Sequence, residues 1–288
     1  MPAQDITFVH LTDLHISAPA LADETLIGDT EAALRRSLAE IARMDPKPAF
    51  VVISGDLANR GEAESYRHLQ SILDDAAPEA PVILALGNHD DRAGFAAAFP
   101  DLAADAARPY DHDLVVAGVH VIVLDSSIPT GVQGDWEAGQ MAWLDARLDA
   151  HAGLPKLLVI HHPPMMDEAK GAAFPWKSLT LPATRALQET IAGRGVAGIL
   201  SGHIHLDRVD HWHGVPVVIG AGHHAASDPV AMGETLRMLD ATGFSICTLR
   251  GSGLGVTFVP HPQSRALAHE LNLETLRAYI AEKYGEVA

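Results

Sequence analysis

The stretch Ala49-Phe50-Val51-Val52-Ile53-Ser54-Gly55-Asp56 decides the fold. Its apolar run has no polar alternation, which reads as a strand covered on both faces and therefore inside a packed parallel sheet. Gly55-Asp56 ends the run in a turn and leaves a carboxylate at the strand's carboxyl end. Upstream, Ile6–Leu11 is a similar β-branched run. Between the two, Leu34, Leu38 and Ile41 recur at helical spacing, with Asp29 or Thr30 as the N-cap and Asp45-Pro46 as the stop. Downstream, Tyr66, Leu69 and Leu73 mark a second helix, and residues 82–86 a third strand. Residues 114–124 read as two strands joined near Ala117-Gly118. Met141, Leu144 and Leu148 mark a helix, and residues 157–160 and 196–200 are buried strands on either side of a helix near 183–192. After Gly202 the texture becomes antiparallel. One hairpin turns at His213-Gly214 and another at Gly251-Ser252-Gly253. Residues 163–182 are Pro-rich and read as a long loop, and Leu273–Tyr284 reads as a closing helix. This order predicts an α/β layered fold with mixed sheets in one domain.

The 288 residues include 20 Lys+Arg against 37 Asp+Glu, a net charge of −17, with 17 His and one Cys. Hydrophobic residues make up 48%, enough for a packed core rather than a disordered chain. The charge opposes a nucleic-acid polymer or an anionic membrane as partner, since both need clustered Lys and Arg. The lone Cys247 excludes an intramolecular disulfide framework and a Cys-based zinc ribbon. The N-terminus lacks the basic and apolar regions of a secretory signal, and residues 114–124 are too short to span a bilayer. A cytoplasmic protein is expected.

In α/β sheets, ligands bind at the carboxyl ends of the strands. Here those ends carry Asp13-Leu14-His15, Gly55-Asp56, Gly87-Asn88-His89-Asp90, His161-His162 and Gly202-His203-Ile204-His205. Any one block is compatible with a plain turn, a helix cap or an interior histidine pair. Five at one sheet edge point to chemistry. Carboxylate, amide oxygen and imidazole together suit Mn, Fe, Co, Ni or Zn. Seven such side chains exceed one tetrahedral ion and match two ions bridged by a carboxylate. Between His161 and His162, the residue that leaves the strand first is favoured as the ligand.

In this order the blocks resemble the calcineurin-like metallophosphoesterase superfamily, whose pattern is D-x-H, G-D, G-N-H-D, H and G-H-x-H, over about residues 6–225. The resemblance implies a four-layer αββα sandwich of two mixed β-sheets flanked by helices. Residues 1–262 would form the metallophosphoesterase domain, and 263–288 a C-terminal helical extension packed on it or at an oligomer contact. Two divalent or trivalent ions (Fe, Mn, Zn or Co) are implied. One would sit on Asp13, His15, His205 and Asp56, the other on Asp56, Asn88, His161 and His203. His89 would face the substrate's phosphoryl oxygen or leaving group, with Asp90 orienting it. The purple acid phosphatase branch has Tyr three residues after the bridging Asp, where this chain has Asn59. The run from Gly55 to Gly61 looks most like bacterial class III cyclic nucleotide phosphodiesterases and glycerophosphodiesterases. The implied activity is hydrolysis of a small phosphodiester by metal-activated water, with 3′,5′-cyclic nucleotides the first choice. Glycerophosphodiesters, or a broad range of diesters and monoesters, come next. The acidic charge opposes a nuclease, and the complete ligand set opposes a metal-free scaffold. Arg60 and His223, with His224 beside it, are candidate substrate contacts, each set against an ordinary structural role. The branch also implies a homo-oligomer.

Overall fold

The computed structural model describes residues 5–103, 105–129, 131–168, 177–231 and 235–284. The chain runs β1 (Ile6–Leu11), α1 (Thr30–Ala42), β2 (Val51–Ser54), α2 (Ala63–Ala76), β3 (Val82–Ala85) and α3 (Arg92–Ala98). It continues through β4 (His112–Val116), β5 (Val119–Leu124), α4 (Gln140–Ala150), β6 (Lys156–Ile160), α5 (Leu181–Ile191) and β7 (Val196–Ser201). The rest is β8 (Arg208–Trp212), β9 (Val215–Ile219), β10 (Ala226–Ser227), β11 (Thr235–Leu239), β12 (Gly243–Arg250), β13 (Gly253–Pro260), β14 (Leu267–Asn272) and α6 (Leu273–Tyr284).

One sheet has the order β13-β12-β1-β2-β3, with β1, β2 and β3 parallel and β12 antiparallel to β1. The other has the order β4-β5-β6-β7-β9-β8, in which β5, β6, β7 and β9 are parallel and the edges are antiparallel. Alternation along the strands sorts the side chains into three cores. Val9 and Leu11 of β1 pack on Leu34 and Leu38 of α1 and on Leu69 of α2. Phe8 of the same strand packs instead with Val52, Val121, Val159 and Cys247, which come from both sheets. Leu158 and Ile160 face the other way, onto Leu144 of α4 and Leu187 of α5. Helix, sheet, sheet, helix is the resulting order, as expected. Each fully buried large aliphatic side chain stabilises it by about 1.5–3 kcal/mol. Cys247 is one of these core residues, and burial pushes its thiol up to about 12, so it is inert.

The helix starts follow the sequence. Asp29 caps α1 by accepting from the Ala32 N–H, and Thr180 caps α5 by accepting from Ala183. The C-terminal segment carries the expected helix at Leu273–Tyr284 and adds a strand before it. Leu267–Asn272 is a strand that pairs with β11 in a three-stranded sheet, β10-β11-β14, before α6 begins. Leu273 and Ile280 are the buried residues of α6. Of the expected loop at 163–182, residues 169–176, including Phe174 and Trp176, lie outside the described residues, and α5 begins at Leu181. Among the described residues no helix is long and apolar enough to cross a membrane.

Candidate metal centre

At the carboxyl ends of the parallel strands the backbone turns sharply. Asp13, His15, Asp56, His203 and His205 have φ of 48°, 46°, 50°, 72° and 48°. Left-handed conformations cost non-glycine residues on the order of 1–2 kcal/mol each, so neighbours must enforce them. They do so through the backbone. Asp13 N donates to Gly55 O, His15 N to Asp56 O, Gly202 N to His161 O, and His223 N to Asp13 O. These bonds stitch the turns of both sheets together. The approach is close enough to require glycine at two points. A Cβ on Gly87 would fall on the Asp56 carboxylate, and one on Gly202 would fall on Thr12 Oγ1 beside Asp13.

The seven expected ligands converge. His205 Nε2 lies 3.2 Å from Asp13 Oδ1, and His161 Nε2 is 3.2 Å from Asp56 Oδ2. His15 Nε2 is 3.6 Å from Asp56 Oδ2. Asn88 Oδ1 lies 3.2 Å from His161 Nε2 and 2.8 Å from His203 Nδ1. Asp56 is thus shared between a group with His15 and a group with His161, as a bridging carboxylate must be. The opposite nitrogen of three imidazoles is anchored. His15 Nδ1 donates to Asn59 Oδ1 (3.0 Å), His161 Nδ1 to Ser54 O (3.0 Å), and His205 Nδ1 to Ala225 O (2.8 Å). Those bonds leave lone pairs on each Nε2. His15 Nε2 and His205 Nε2 consequently face each other as two acceptors 3.3 Å apart. Two lone pairs at that distance repel unless a cation lies between them, so the donor set fits a bound metal ion.

Electrostatics tells the same story. Burial alone would raise Asp56, yet His161, His89 and His15 hold it well below the carboxylate range. Asp13, equally buried, is held low by His205. Burial would lower His161 and His205, but Asp56 lifts the first to about 9 and Asp13 lifts the second. These buried imidazoles and carboxylates favour opposite charges on one another, the arrangement that metal ions enter by displacing protons.

His162 lies beside His161 and His203, but both of its ring nitrogens are engaged elsewhere. Its Nδ1 accepts from Ser126 Oγ and its Nε2 donates to Val132 O, which leaves His161 as the ligand-facing member of the pair. His89 lines the cavity beside His15, with ring centroids 4.6 Å apart. Asp90 does not orient it, contrary to the expectation. His89 Nδ1 donates instead to the Asn59 carbonyl (2.8 Å). Asp90 accepts from Leu57 N, Ala58 N, Gly87 N and Tyr66 Oη, and so clamps the two loops that carry Asp56 and Asn88. Burial and the nearby Asp56 push Asp90 up to about 7 against that hydrogen bonding. Arg60 does not line the cavity; its guanidinium pairs with Asp23 at 3.1 Å. Asp23 also accepts from Asn59 Nδ2 and so fixes the amide that holds His15. His223 is buried behind the centre, with Nε2 on Ser37 and Nδ1 on Thr12 O, whereas His224 lines the cavity. Sequence reasoning passed over Asn59 and Asp23 as a positioning pair. The position of Asn59, on the same turn as Asp56, was the available signal.

A cavity of about 610 Å³ opens over the ligands. His15, His203 and His205 line it together with Ile27, Met165 and Met166. The three-stranded sheet adds Leu236, Met238 and His269.

Residues 6–207 match the family model described as calcineurin-like phosphoesterase. A cAMP/cGMP dual specificity phosphodiesterase of Mycobacterium tuberculosis is 31% identical over 239 residues, covering 81% of this chain and 73% of that protein. A probable cyclic nucleotide phosphodiesterase of Rhodopseudomonas palustris is 34% identical over 233 residues, covering 79% of this chain and 82% of that one. Among solved structures, a purple acid phosphatase from yellow lupin seeds superposes with a TM-score of 0.62 at 14% identity. It covers 94% of this chain and 54% of the lupin chain, a likeness of fold alone.

Proposed function

The chain belongs to the calcineurin-like phosphoesterase family, and from that premise we propose that this metal-dependent phosphodiester hydrolase acts on 3′,5′-cyclic nucleotides. The observation that carries the substrate class is the mixed lining of the cavity. His15, His203 and His205 line it, and so do the apolar side chains of Ile27, Met165, Met166, Leu236 and Met238. A nucleobase presents flat apolar faces that such a wall can cover. The glycerol of a glycerophosphodiester has no comparable surface. The names of the two relatives agree with this reading.

We assign one ion (Fe, Mn, Zn or Co) to Asp13, His15, His205 and Asp56, and a second to Asp56, Asn88, His161 and His203. When bound, the ions supply Lewis acidity that lowers the pKa of water and neutralises phosphoryl charge. The side chains do the rest. Asn59, Ser54 and Ala225 hold the ligand imidazoles in the tautomer that turns Nε2 inward. His89 has its Nδ1 proton committed to Asn59 O, so Nε2 is the atom left to meet the substrate. When protonated there, it donates to oxygen that gains charge as the ester bond breaks. The apolar wall excludes water from the ester's organic group.

Steady-state rates of the metal-loaded enzyme on cyclic AMP, a glycerophosphodiester, an aryl diester and an aryl monoester test the proposal. The highest kcat/KM is expected on cyclic AMP. Failure to hydrolyse any diester would contradict the reading outright. Asp56→Ala and Asn88→Ala are each expected to cost at least about 10²-fold in kcat, more than the loss of an outer hydrogen bond to a ligand. Wild-type turnover in both variants would remove the assigned site.

A further inference from the structure

We propose that His224 is a substrate-contacting hydrogen-bond donor aimed at a phosphoryl oxygen of the bound diester, an inference that rests on the phosphodiesterase reading above. His224 lines the same cavity as His15, His89 and His205. Its ring lies 4.6 Å from that of His15, tilted by 32°, and 6.0 Å from that of His205. One ring nitrogen from each of these three residues falls within 4.8 Å of the others. His15 therefore has an additional imidazole on two sides, His89 and His224, and neither belongs to the seven-ligand set.

The hydrogen bonding of His224 fixes what it can offer. The Ile27 backbone N–H can only donate, and its partner is His224 Nε2 at 3.0 Å. Nε2 therefore supplies a lone pair, and the neutral ring carries its proton on Nδ1. Among the described residues that N–H has no acceptor, and His224 is only half-buried. Its neighbour His223 differs, since both of its nitrogens are engaged in the interior. An open donor on the wall of a cavity built for an anionic ester finds its acceptor in the ester's oxygens. It also complements His89, whose Nδ1 is committed to a carbonyl and which can donate at Nε2 only after taking up a proton. Ile27 both lines the cavity and fixes this donor.

Two variants test the assignment. His224→Phe keeps a ring over His15 and removes the donor; His224→Ala removes the ring. Each is expected to lose on the order of 10²-fold in kcat/KM on the best diester, with two ions per chain retained. Added imidazole is expected to restore activity to His224→Ala and not to His224→Phe, a rescue that a purely structural role would not give. Calorimetric titration of the metal-loaded protein with inorganic phosphate reads the same donor without turnover, and about tenfold weaker binding is expected in both variants. This titration still decides the role of His224 if the wild type hydrolyses no diester, in which case only the functional reading fails. Wild-type kcat/KM and phosphate affinity in either folded variant would reduce His224 to a tie for the Ile27 segment. Loss of one ion per chain would make it a ligand. Either result overturns the proposal.

Discussion

Asn59 shows how much one amide can decide. Its Oδ1 takes the His15 proton, while its Nδ2 donates to Asp23 and Thr25, which prevents the amide from flipping. Asn59→Ala frees His15 to adopt the wrong tautomer. The expected result is a loss of metal affinity of about 10–100-fold with the fold intact, measured by chelator competition. Unchanged affinity would show that His15 needs no such holder. The cluster of Asp, Asn and His at the strand ends was legible in the sequence because its chemistry is rare there and its spacing recurs. The roles of Asn59 and Asp90 were not, because they depend on which backbone carbonyl or N–H lies opposite. Asp90 illustrates the point. In the sequence it sits beside His89, yet its four hydrogen bonds go to Leu57, Ala58, Gly87 and Tyr66.

At the level of elements, the apolar strands and both hairpins read directly from the sequence, since β2, β5 and β6 are continuous buried runs. The small sheet did not. β14 is almost wholly exposed, with no alternation to betray it, and β10 has two residues. Yet this sheet lies beyond the family match and supplies Leu236, Met238 and His269 to the cavity. Removing residues 263–288 deletes β14 and α6, exposes the edge of β11, and takes His269 from the wall. The truncated enzyme is expected to show KM for cyclic AMP raised about tenfold or more, with two ions retained. An aryl diester should be affected less. Equal losses on both substrates would mean that the sheet serves stability and not selectivity.

For the whole molecule, the surplus of histidine has a thermodynamic outcome. Burial lowers His10, His112 and His223 to about 4 and His224 to about 3, and holds His15 and His162 well below the usual imidazole range. Below about pH 6.5 the unfolded chain takes up protons that these folded imidazoles refuse, so stability is lost as pH falls from about 6.5 toward 4. Asp90 and Asp111, raised to about 7 and about 6 by burial, act in the opposite sense, as do the raised Asp207 and, near pH 7, the raised His161 and His205, but the lowered imidazoles outnumber them. Urea unfolding of the chelated protein at pH 7, 6 and 5 is expected to show a steady decline, with net proton uptake on unfolding. A flat profile would refute this balance. The strained turns have a further outcome for anyone who breeds this enzyme for heat resistance. At Asp13, His15, Asp56, His203 and His205, the glycine that would relax the backbone also deletes a proposed metal ligand. Selection on melting temperature alone would therefore reward the very substitutions that silence catalysis, and a screen for robust variants has to score turnover in every round.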